Sequence, residues 1–504
     1  MALGTFFQPR ILGKGRLSNG LVPPVILPRI MKIVLVNPPS PPEYRVSRGL
    51  MGGFGMAVNP DLLYPPIELA HVAGELLAAG YDVAIHDGDA VGADLLGSLK
   101  FISDEKPDFV CLDSSSTSLT QDLELADLVR KDTGVPVFML GSQVTYTPDD
   151  LFEHSSVDGV VKGEPEETVT AIAGRIAERL DQEGLTTFED IAGITWVDSD
   201  RKVHAEAGRN RITALDSMAI PARGLLDNSA YSFPGLDGPV TTVKSSRGCP
   251  LNCSFCGYTL AQGLKFRFRS PDHVLNELID IHRNHGLRHV VFRDPIFTTR
   301  KDRVMDICDG IIREKLDIKW QCETAVKTLS PALLERMAEA GCTHISLGIE
   351  SGNMAIQKKH CGNKLNNLDQ AKEVFEVCRR VGIETRAFCM IGFPEETEEM
   401  ADETIELVQW LDPDQVQFCA VTAYPGTPLY EMLSENRDFN FATMTGHHAA
   451  EGNEHMTAAQ IEAKIREAYR SFYRRPKRLI GELKHPRRFA GKLVRYFKLW
   501  GKGA

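Results

Sequence analysis

Short runs of β-branched and other apolar residues alternate with stretches of helical period from Met31 onward, as in βαβ units of a parallel sheet. In the first part of the chain these runs span residues 32–36, 81–87, 109–113, 135–140 and 159–161. Doubly wound sheets bind ligands in the loops that follow such strands. The pattern predicts a Rossmann-like cofactor-binding domain over residues 31–190. No Gly-x-Gly-x-x-Gly motif follows the first run, which disfavours a nicotinamide cofactor.

A second alternation begins after residue 235, with strand-like runs at 240–244, 290–292, 318–322, 344–348, 385–391 and 416–421. Six strand–helix units in a row predict a partial (β/α)6 barrel over residues 236–430, with its chemistry at the carboxyl ends of the strands. Residues 191–235 are predicted to connect the two domains, and residues 431–504 to be helical with a basic tail. Met31 is a candidate start, which leaves residues 1–30 as a leader. The predicted fold class is α/β.

Composition narrows the classes of protein that this chain can represent. The net charge of -11 argues against a general nucleic-acid binder, which needs a basic surface to neutralise phosphates. No run approaches the roughly 20 apolar residues of a spanning helix, and the first thirty residues lack the apolar core of a signal peptide. Eleven cysteines without a repeated framework indicate free thiols in a reducing compartment, and therefore a cytoplasmic protein.

Three of the cysteines stand close together directly after the first predicted strand of the barrel. Cys249, Cys253 and Cys256 form a Cys-x3-Cys-x2-Cys loop, and thiolates at this spacing can converge on one iron–sulfur cluster. Three ligands on a four-iron cluster leave one iron open to a cofactor. The alternatives are a structural zinc site, which usually closes with four ligands as two spaced pairs, or three unrelated thiols. No second cysteine pair lies nearby, and three free thiols on one exposed loop would be open to oxidation.

This loop, at this place in a partial barrel, resembles the signature of the radical S-adenosylmethionine (SAM) superfamily. The resemblance implies a [4Fe-4S] cluster on the three cysteines, with the amino and carboxylate groups of SAM on the open iron. It also implies reductive cleavage of SAM to a 5'-deoxyadenosyl radical and an electron donor such as flavodoxin or ferredoxin. Phe255, before the third cysteine, matches the usual aromatic position of the family.

Further segments resemble the SAM contacts of that family, in the same order along the chain. Asp294 lies at the end of the second strand, where members of that family bind the amino group of SAM. The Gly-Gly-Glu sequence that some members have at this place is absent. Glu350 and Ser351 resemble the ribose contacts, and Ile391 and Gly392 the strand that packs on adenine. The alternatives are that Glu350 caps a helix or pairs with a cation, and that the glycine only turns the chain.

The first domain resembles that of the cobalamin-binding members of the superfamily. The resemblance rests on three segments, Asn37-Pro38-Pro39, Tyr64 to Ala70 and Val161 to Glu164. The Asp-x-His-x-x-Gly signature that supplies a histidine to cobalt elsewhere is missing. His71 and His86 are interpreted as core or surface histidines. The hydroxyl-rich loop with Ser114 and Ser115 is predicted to contact the corrin, with Gly141 and Gly163 at the neighbouring edge loops. The alternative is a scaffold that binds nothing, or another flat ligand.

These resemblances imply a cobalamin-dependent methyltransferase that acts on an unactivated carbon of a small-molecule or lipid-like substrate. Two alternatives remain: a non-methylating radical cyclase or rearrangement enzyme, and a cobalamin or cluster sensor or electron carrier without turnover. The tail interleaves basic residues from Arg470 to Lys498 with aromatic and aliphatic ones. Such a segment can contact an anionic membrane surface as an amphipathic helix, or it can pack on the barrel as a solvated helix.

Overall fold

The computed structural model describes residues 30–179, 187–434 and 448–475, and those from Met31 onward belong to one compact unit. The strands of the first half are β1 (Lys32–Asn37), β2 (Arg45–Ser47), β3 (Met56–Val58), β4 (Asp82–Asp87), β5 (Phe109–Asp113), β6 (Val137–Leu140), β7 (Gly159–Val161), β8 (Ile194–Val197) and β9 (Val203–Ala205). Its α-helices are α1 (Ile67–Ala78), α2 (Gly88–Val91), α3 (Leu95–Glu105), α4 (Leu119–Thr133), α5 (Ser142–Tyr146), α6 (Pro148–Glu153) and α7 (Glu166–Arg179).

The first sheet has the strand order β4-β1-β5-β6-β7-β8-β9, and its first five strands pair in parallel. This part of the order is the flavodoxin-like arrangement, in which the connections change direction between β1 and β5 and open a crevice at their carboxyl ends. Asn37 and Asp113 are the last residues of those two strands. The predicted Rossmann-like sheet is confirmed, and its ligand crevice lies at Asn37 and Asp113.

The sheet also continues past the predicted boundary at residue 190. β8 and β9 lie in the stretch predicted as a connecting segment, yet they extend the sheet in antiparallel register from β7. Both strands are short; β8 pairs with β7, more than thirty residues earlier in the chain, and β9 pairs with β8. A contact of that kind leaves no periodicity in the sequence.

The second half forms an open six-stranded parallel sheet with the order β10-β13-β14-β15-β16-β17. Its strands, with the β11–β12 hairpin, are β10 (Val240–Val243), β11 (Ser246–Arg247), β12 (Arg267–Phe268), β13 (His289–Phe292), β14 (Lys319–Thr324), β15 (Cys342–Glu350), β16 (Glu384–Ile391) and β17 (Gln415–Ala420). Its helices are α8 (Tyr258–Gln262), α9 (Pro271–Arg283), α10 (Lys301–Arg313), α11 (Pro331–Glu339), α12 (Met354–His360), α13 (Leu368–Val381), α14 (Glu398–Leu411), α15 (Pro428–Ser434) and α16 (Ala458–Tyr473). Since β10 and β17 do not pair in the described chain, the predicted partial barrel is confirmed.

Local sequence explains several boundaries of these elements. β1 ends before Pro38 and Pro39, which lack the amide that a ladder needs. α9 begins where the Ser270 hydroxyl accepts the His273 amide, and α13 ends at Gly382 with a φ of 82°.

The two halves share part of their hydrophobic core. One buried cluster contains Ile33 and Leu69 of the first half together with Val240 and Val291 of the barrel. The carboxyl edges of both sheets are therefore held in a fixed relation. In the part of the chain that the structure describes, no helix is long and apolar enough to span a bilayer. Most of the basic tail, from residue 476 onward, lies outside the described residues.

Candidate active site

The three predicted cluster cysteines lie on one loop between β11 and α8. Gly248 begins this loop with a φ of +87°, and a Cβ built there would lie 2.2 Å from the Lys265 carbonyl oxygen, so the turn requires glycine. Cys249 and Cys253 are buried and Cys256 is partly exposed; none of them forms a disulfide. The loop thus presents three free thiols within one tight turn.

Burial raises the pKa of all three thiols, that of Cys256 to about 12, and the charge of Lys364 opposes the rise at each. Thiols in this setting need a bound cation to become thiolates. The described residues hold no group of three or more ligands placed around a single metal ion. A four-iron cluster makes a different demand, because each thiolate binds its own iron. The loop fits such a cluster.

Lys364 also contacts Glu350, one of the predicted SAM-binding residues. Its Nζ donates to Glu350 Oε1 at 2.6 Å and lies 5.7 Å from the centroid of the Phe255 ring. Glu350 has a φ of +62°, which is rare outside glycine, and the pairing of β15 with β16 shifts register beside it. Strain of this kind persists where the surrounding structure fixes a side chain, often at functional sites.

Asp294 and Ser351, two other predicted SAM contacts, already have partners inside the protein. Asp294 accepts from the Ser245 amide at 3.1 Å, from the Ser245 hydroxyl at 2.8 Å and from the Ser246 hydroxyl at 2.5 Å. The Ser351 hydroxyl accepts the Asn353 amide at 3.1 Å. Asp294 therefore anchors the segment directly before the cysteine loop, and Ser351 stabilises the turn after β15.

Ile391 and Gly392 lie at the carboxyl end of β16, as predicted. Ile391 is buried, and the Gly392 amide donates to Glu396 Oε2 at 2.5 Å. Gly392 has a φ of +107°, and a Cβ there would lie 3.1 Å from Ile461 of α16. The glycine is required by its backbone conformation and by the helix that packs on it.

The predicted corrin loop lies beside the crevice of the first sheet. Ser114 and Gly141 are in direct contact, since a Cβ on Gly141 would lie 2.2 Å from the Ser114 carbonyl oxygen. Ser115 is fully buried beneath Gly55. Gly163 has a φ of +75° and open space where its side chain would be. The structure brings Ser114, Ser115 and Gly141 together, and it places Gly163 at the end of a strand farther along the sheet.

His71 and His86, interpreted from sequence as core or surface histidines, are both buried and so belong to the core. His86 Nε2 lies 3.0 Å from the Ser98 hydroxyl, and its ring stacks on Phe101. The Ser114 hydroxyl donates to Asp122, and the Ser115 hydroxyl lies 2.8 Å from that of Ser118, so both have partners inside the protein. The buried Thr117 Oγ1 has no partner and is the hydroxyl of this loop that a corrin side chain could satisfy.

A cavity connects the crevice of the first sheet to the carboxyl edge of the second. It is lined by Asn37 and Asp113 from the first sheet, and by Thr242, Lys244 and Arg293 from the barrel. The Nζ of Lys244 forms an ion pair with Glu68 of α1, which also lines the cavity. The cavity is thus shared by the two halves.

The first half also contacts the cluster loop directly, through two glycines. A Cβ on Gly52 would lie 2.4 Å from the backbone of Gly257, the residue after Cys256. A Cβ on Gly257 would lie 2.4 Å from the Met51 carbonyl oxygen and 2.6 Å from the Phe54 ring. The backbone of the first half therefore packs against the base of the cluster loop.

Replacing Gly257 by alanine is expected to separate these two loops. Its backbone conformation is ordinary (φ -71°), so the cost is steric and amounts to about 1–3 kcal/mol of stability. Cobalamin retention after gel filtration should fall, and thermal unfolding should report the loss of stability. G174A is the control, because its new methyl would meet nothing closer than 3.8 Å. If G257A and G174A lost cobalamin and thermal stability to the same extent, the contact between the two loops would not be important for either.

Asp113 should make the stability of the first half depend on pH. Burial, reinforced by the charges of Glu68 and Asp122, raises its pKa to about 7. The folded protein keeps this proton up to about pH 7, whereas the unfolded chain loses it near pH 4. Its stabilising contribution is therefore present below about pH 4 and is lost as the pH rises through this window.

Urea unfolding of the cofactor-free protein between pH 4 and 8 tests this. The stability of wild type relative to D113N should fall as the pH rises. D104N, which changes an exposed carboxyl of the same half, is the control. A constant difference between wild type and D113N across the range would contradict the assignment.

Comparison with known proteins agrees with this geometry. The family model of the radical SAM superfamily matches residues 243–408, and that of the B12 binding domain matches residues 55–173. An uncharacterised methyltransferase of Pyrococcus horikoshii is 32% identical over 460 residues, which cover 90% of this chain and 95% of the relative. An anaerobic magnesium-protoporphyrin IX monomethyl ester cyclase of Rubrivivax gelatinosus is 27% identical and aligns with 78% of this chain and 71% of its own.

The structure of the radical SAM methyltransferase TsrM of Kitasatospora setae, with cobalamin and a [4Fe-4S] cluster bound, has a similar fold. Its TM-score is 0.64 at 18% identity, with 81% of this chain and 78% of that chain covered. The protein therefore belongs to the radical SAM superfamily, within the cobalamin-dependent methyltransferase family. Its cofactors are a [4Fe-4S] cluster, SAM and cobalamin. Enzymes of this superfamily act on small molecules and need a reductant.

Sequence reasoning missed Lys364 and the contact between Gly52 and Gly257. Lys364 lies fourteen residues after Glu350, beyond a helix, so only the fold brings it to the cysteines. In the structure, the Cys361-Gly362 turn before Lys364 packs on the cluster loop, since a Cβ on Gly362 would lie 2.3 Å from the Leu251 carbonyl oxygen. No local motif in the sequence marks this contact.

Proposed function

We propose that this protein methylates an unactivated carbon of a small molecule. The observation that carries the proposal is the backbone contact of Gly52 with Gly257, because it joins the cobalamin-binding half to the cluster loop. Removal of hydrogen and delivery of a methyl group must occur at the same carbon. A fixed relation between the two cofactor-binding parts supports such a sequence.

In this proposal Cys249, Cys253 and Cys256 hold the cluster, and Lys364 and Glu350 position the polar groups of SAM. Asp294 acts through Ser245 and Ser246 by fixing the segment before the cysteine loop. When bound, the cluster and SAM supply hydrogen-abstracting chemistry, and cobalamin carries the methyl group. The protein itself orients these groups and excludes water from the shared cavity.

The proposal for the cobalamin half is that the corrin lies at the crevice of the first sheet. Ser114, Ser115 and Gly141 would contact one side of it, and Gly163 leaves open space at the same edge. The described loop residues at the crevice include no histidine, and the corrin would be held there by contacts with these loops.

A radical cyclase or rearrangement enzyme is the second candidate, supported by the likeness to a relative named as a cyclase. The two functions differ in stoichiometry. Methylation of an unactivated carbon consumes two SAM molecules and two electrons from the reductant. One SAM gives up its methyl group and becomes S-adenosylhomocysteine, and the other takes the hydrogen of the carbon and breaks into 5'-deoxyadenosine and methionine. Equal amounts of S-adenosylhomocysteine and 5'-deoxyadenosine are therefore expected, whereas a cyclase would form 5'-deoxyadenosine alone.

The test is anaerobic turnover with SAM deuterated in its methyl group and with an extract fraction of small molecules. A product heavier by one deuterated methyl group, together with the equal ratio, supports methylation. 5'-Deoxyadenosine without S-adenosylhomocysteine would favour the cyclase. A cluster-loaded protein that forms neither would favour the sensor or electron carrier.

The remaining proposals concern the surroundings of the enzyme. Flavodoxin or ferredoxin is the proposed electron donor, and the cytoplasm the proposed compartment. Every described cysteine is a free thiol, which supports a reducing environment. Contact of the basic tail with an anionic membrane concerns residues that lie mostly outside the described ones, and a lipid-like substrate would accompany it.

A further inference from the structure

Polar side chains line the inner face of the barrel sheet below the proposed SAM site. One row across the sheet, in register on neighbouring strands, consists of Glu323, Ser346, Arg386 and Gln415. Arg293, the residue after the end of β13, lies beside this row. Two contacts show that these side chains share one face. Arg293 Nη1 lies 2.8 Å from Glu323 Oε1, and Arg386 Nη2 donates to Gln415 Oε1 at 2.7 Å.

The two arginines of this row differ in their charge balance. Arg293 is paired with Glu323 and also donates to the Tyr258 hydroxyl at 3.2 Å. Arg386 is half-buried, and its hydrogen-bond partner is the neutral amide of Gln415. Within the described ranges no carboxylate lies within ion-pair distance of its guanidinium. Among the described residues, Arg386 thus has a neutral hydrogen-bond partner and no ion-pair partner on the inner face of the barrel.

Two aromatic rings from outside the barrel lie between these arginines. The Arg293 guanidinium lies 5.3 Å from the centroid of the Tyr64 ring, and that of Arg386 lies 5.7 Å from the Phe233 ring. The centroids of Tyr64 and Phe233 are 6.0 Å apart. Tyr64, which also lines the shared cavity, precedes α1 of the first half. The rings form an apolar wall beside the charge of Arg386.

Directly below this row, two buried polar groups lack a partner. Gln321 and His344 are register partners on β14 and β15, and each is two residues before a member of the row, on the same face of its strand. Each side chain is more than nine-tenths buried, and Gln321 Nε2 and His344 Nε2 have no hydrogen-bond partner. Burial and the nearby Arg386 charge lower the pKa of His344 to about 3, which leaves the ring neutral. Unpaired buried groups of this kind are costly unless a ligand satisfies them.

We propose that Arg386 binds the carboxylate of an acidic substrate inside the barrel, beside the wall formed by Tyr64 and Phe233. Gln415 Oε1 occupies the Nε–Nη2 edge of Arg386, which leaves Nη1 and the outer N–H of Nη2 to a ligand. These groups and the Gln321 amide are donors, which suits an anionic acceptor better than a cation or a neutral group. The aromatic wall suits a flat apolar portion next to that carboxylate. This assignment rests on the proposed function in treating the inner face of the barrel as the substrate site.

Binding of 4-fluorobenzoate to the purified full chain, followed by fluorine NMR, tests the assignment without turnover. We expect a dissociation constant of about 1 mM, typical of a small fragment. R386Q should weaken binding by about tenfold or more, because the charge-assisted hydrogen bonds are lost. R386K should fall between the two, since lysine keeps the charge and lacks the fork. R380Q is the matched control, an exposed arginine of α13 paired with Glu335.

Two further probes identify the chemistry of the ligand. The uncharged 4-fluorobenzamide should bind much more weakly than the carboxylate. Inorganic phosphate should displace 4-fluorobenzoate only at concentrations above those at which 4-fluorobenzoate itself binds. Displacement at lower phosphate concentrations would contradict a carboxylate site and indicate a phosphate site. Unchanged binding in both R386Q and R386K would overturn the site. Because no step of the assay requires SAM cleavage, this result is independent of the test of methylation.

Discussion

Replacing Cys253 by alanine is expected to abolish the iron–sulfur cluster and with it the cleavage of SAM. Cys253 is the central thiol of the cluster loop and is 3% exposed, so water has little access to its place. Loss of one of three thiolates removes a direct ligand, and the effect should exceed the 10–100-fold losses typical of outer-shell changes, reaching more than about 100-fold in 5'-deoxyadenosine formation. Iron and sulfide analysis, electron paramagnetic resonance and mass spectrometry measure these losses.

The matched control is C308A, which removes a buried thiol of α10 in the core between helices and sheet. It should keep its cluster and its activity. Cobalamin retention should be normal in both variants, because the crevice of the first sheet is formed by residues other than those of the cysteine loop. A C253A protein with wild-type iron content and SAM cleavage would show that the cluster is held elsewhere.

Replacing Asp122 by alanine is expected to destabilise the protein by about 3–5 kcal/mol, the usual cost of leaving a buried charge without its partner. Asp122 and Arg48 are both fully buried, with Arg48 Nη2 2.6 Å from Asp122 Oδ1. Asp122 Oδ2 also accepts from the Ser114 and Ser118 hydroxyls at 2.8 and 2.6 Å. The substitution therefore removes the group that fixes the proposed corrin loop, and cobalamin retention should fall as well.

Urea denaturation of the cofactor-free protein, followed by circular dichroism, measures the change. D302A removes an exposed ion pair with Arg300 and should have little effect. The double variant R48M/D122L should recover much of the stability, because it removes both charges, yet it should not restore the loop. If D122A unfolds at the wild-type urea concentration, the buried pair does not stabilise the first half.

The strands of both sheets were predictable because each is a buried run of apolar residues between turn-forming ones. β5 matches its predicted range of residues 109–113, and β16 begins one residue before its predicted start at Thr385. β8 and β9 could not be predicted in the same way. They are short; β8 is stabilised by antiparallel pairing with β7, which is a tertiary contact, and β9 pairs only with β8 among the described strands.

In the candidate site, too, local features were predictable from the sequence and contacts between distant segments were not. The spacing of Cys249, Cys253 and Cys256 is local, so sequence alone indicates their shared ligand. The contacts of Asp294 with Ser245 and of Ser351 with Thr404 join separate segments, and they determine which polar atoms remain available to a ligand. Lys364 and Arg386 reach the site from positions that no local motif marks.

The most direct test of the central claim, a radical SAM enzyme with cobalamin beside its cluster, is anaerobic reconstitution of the full chain with iron, sulfide and hydroxocobalamin. The protein is then reduced in the presence of SAM and analysed by mass spectrometry. Formation of 5'-deoxyadenosine by protein that retains cobalamin is the predicted result. An intact cluster that leaves SAM uncleaved would contradict the account and favour a sensor or an electron carrier.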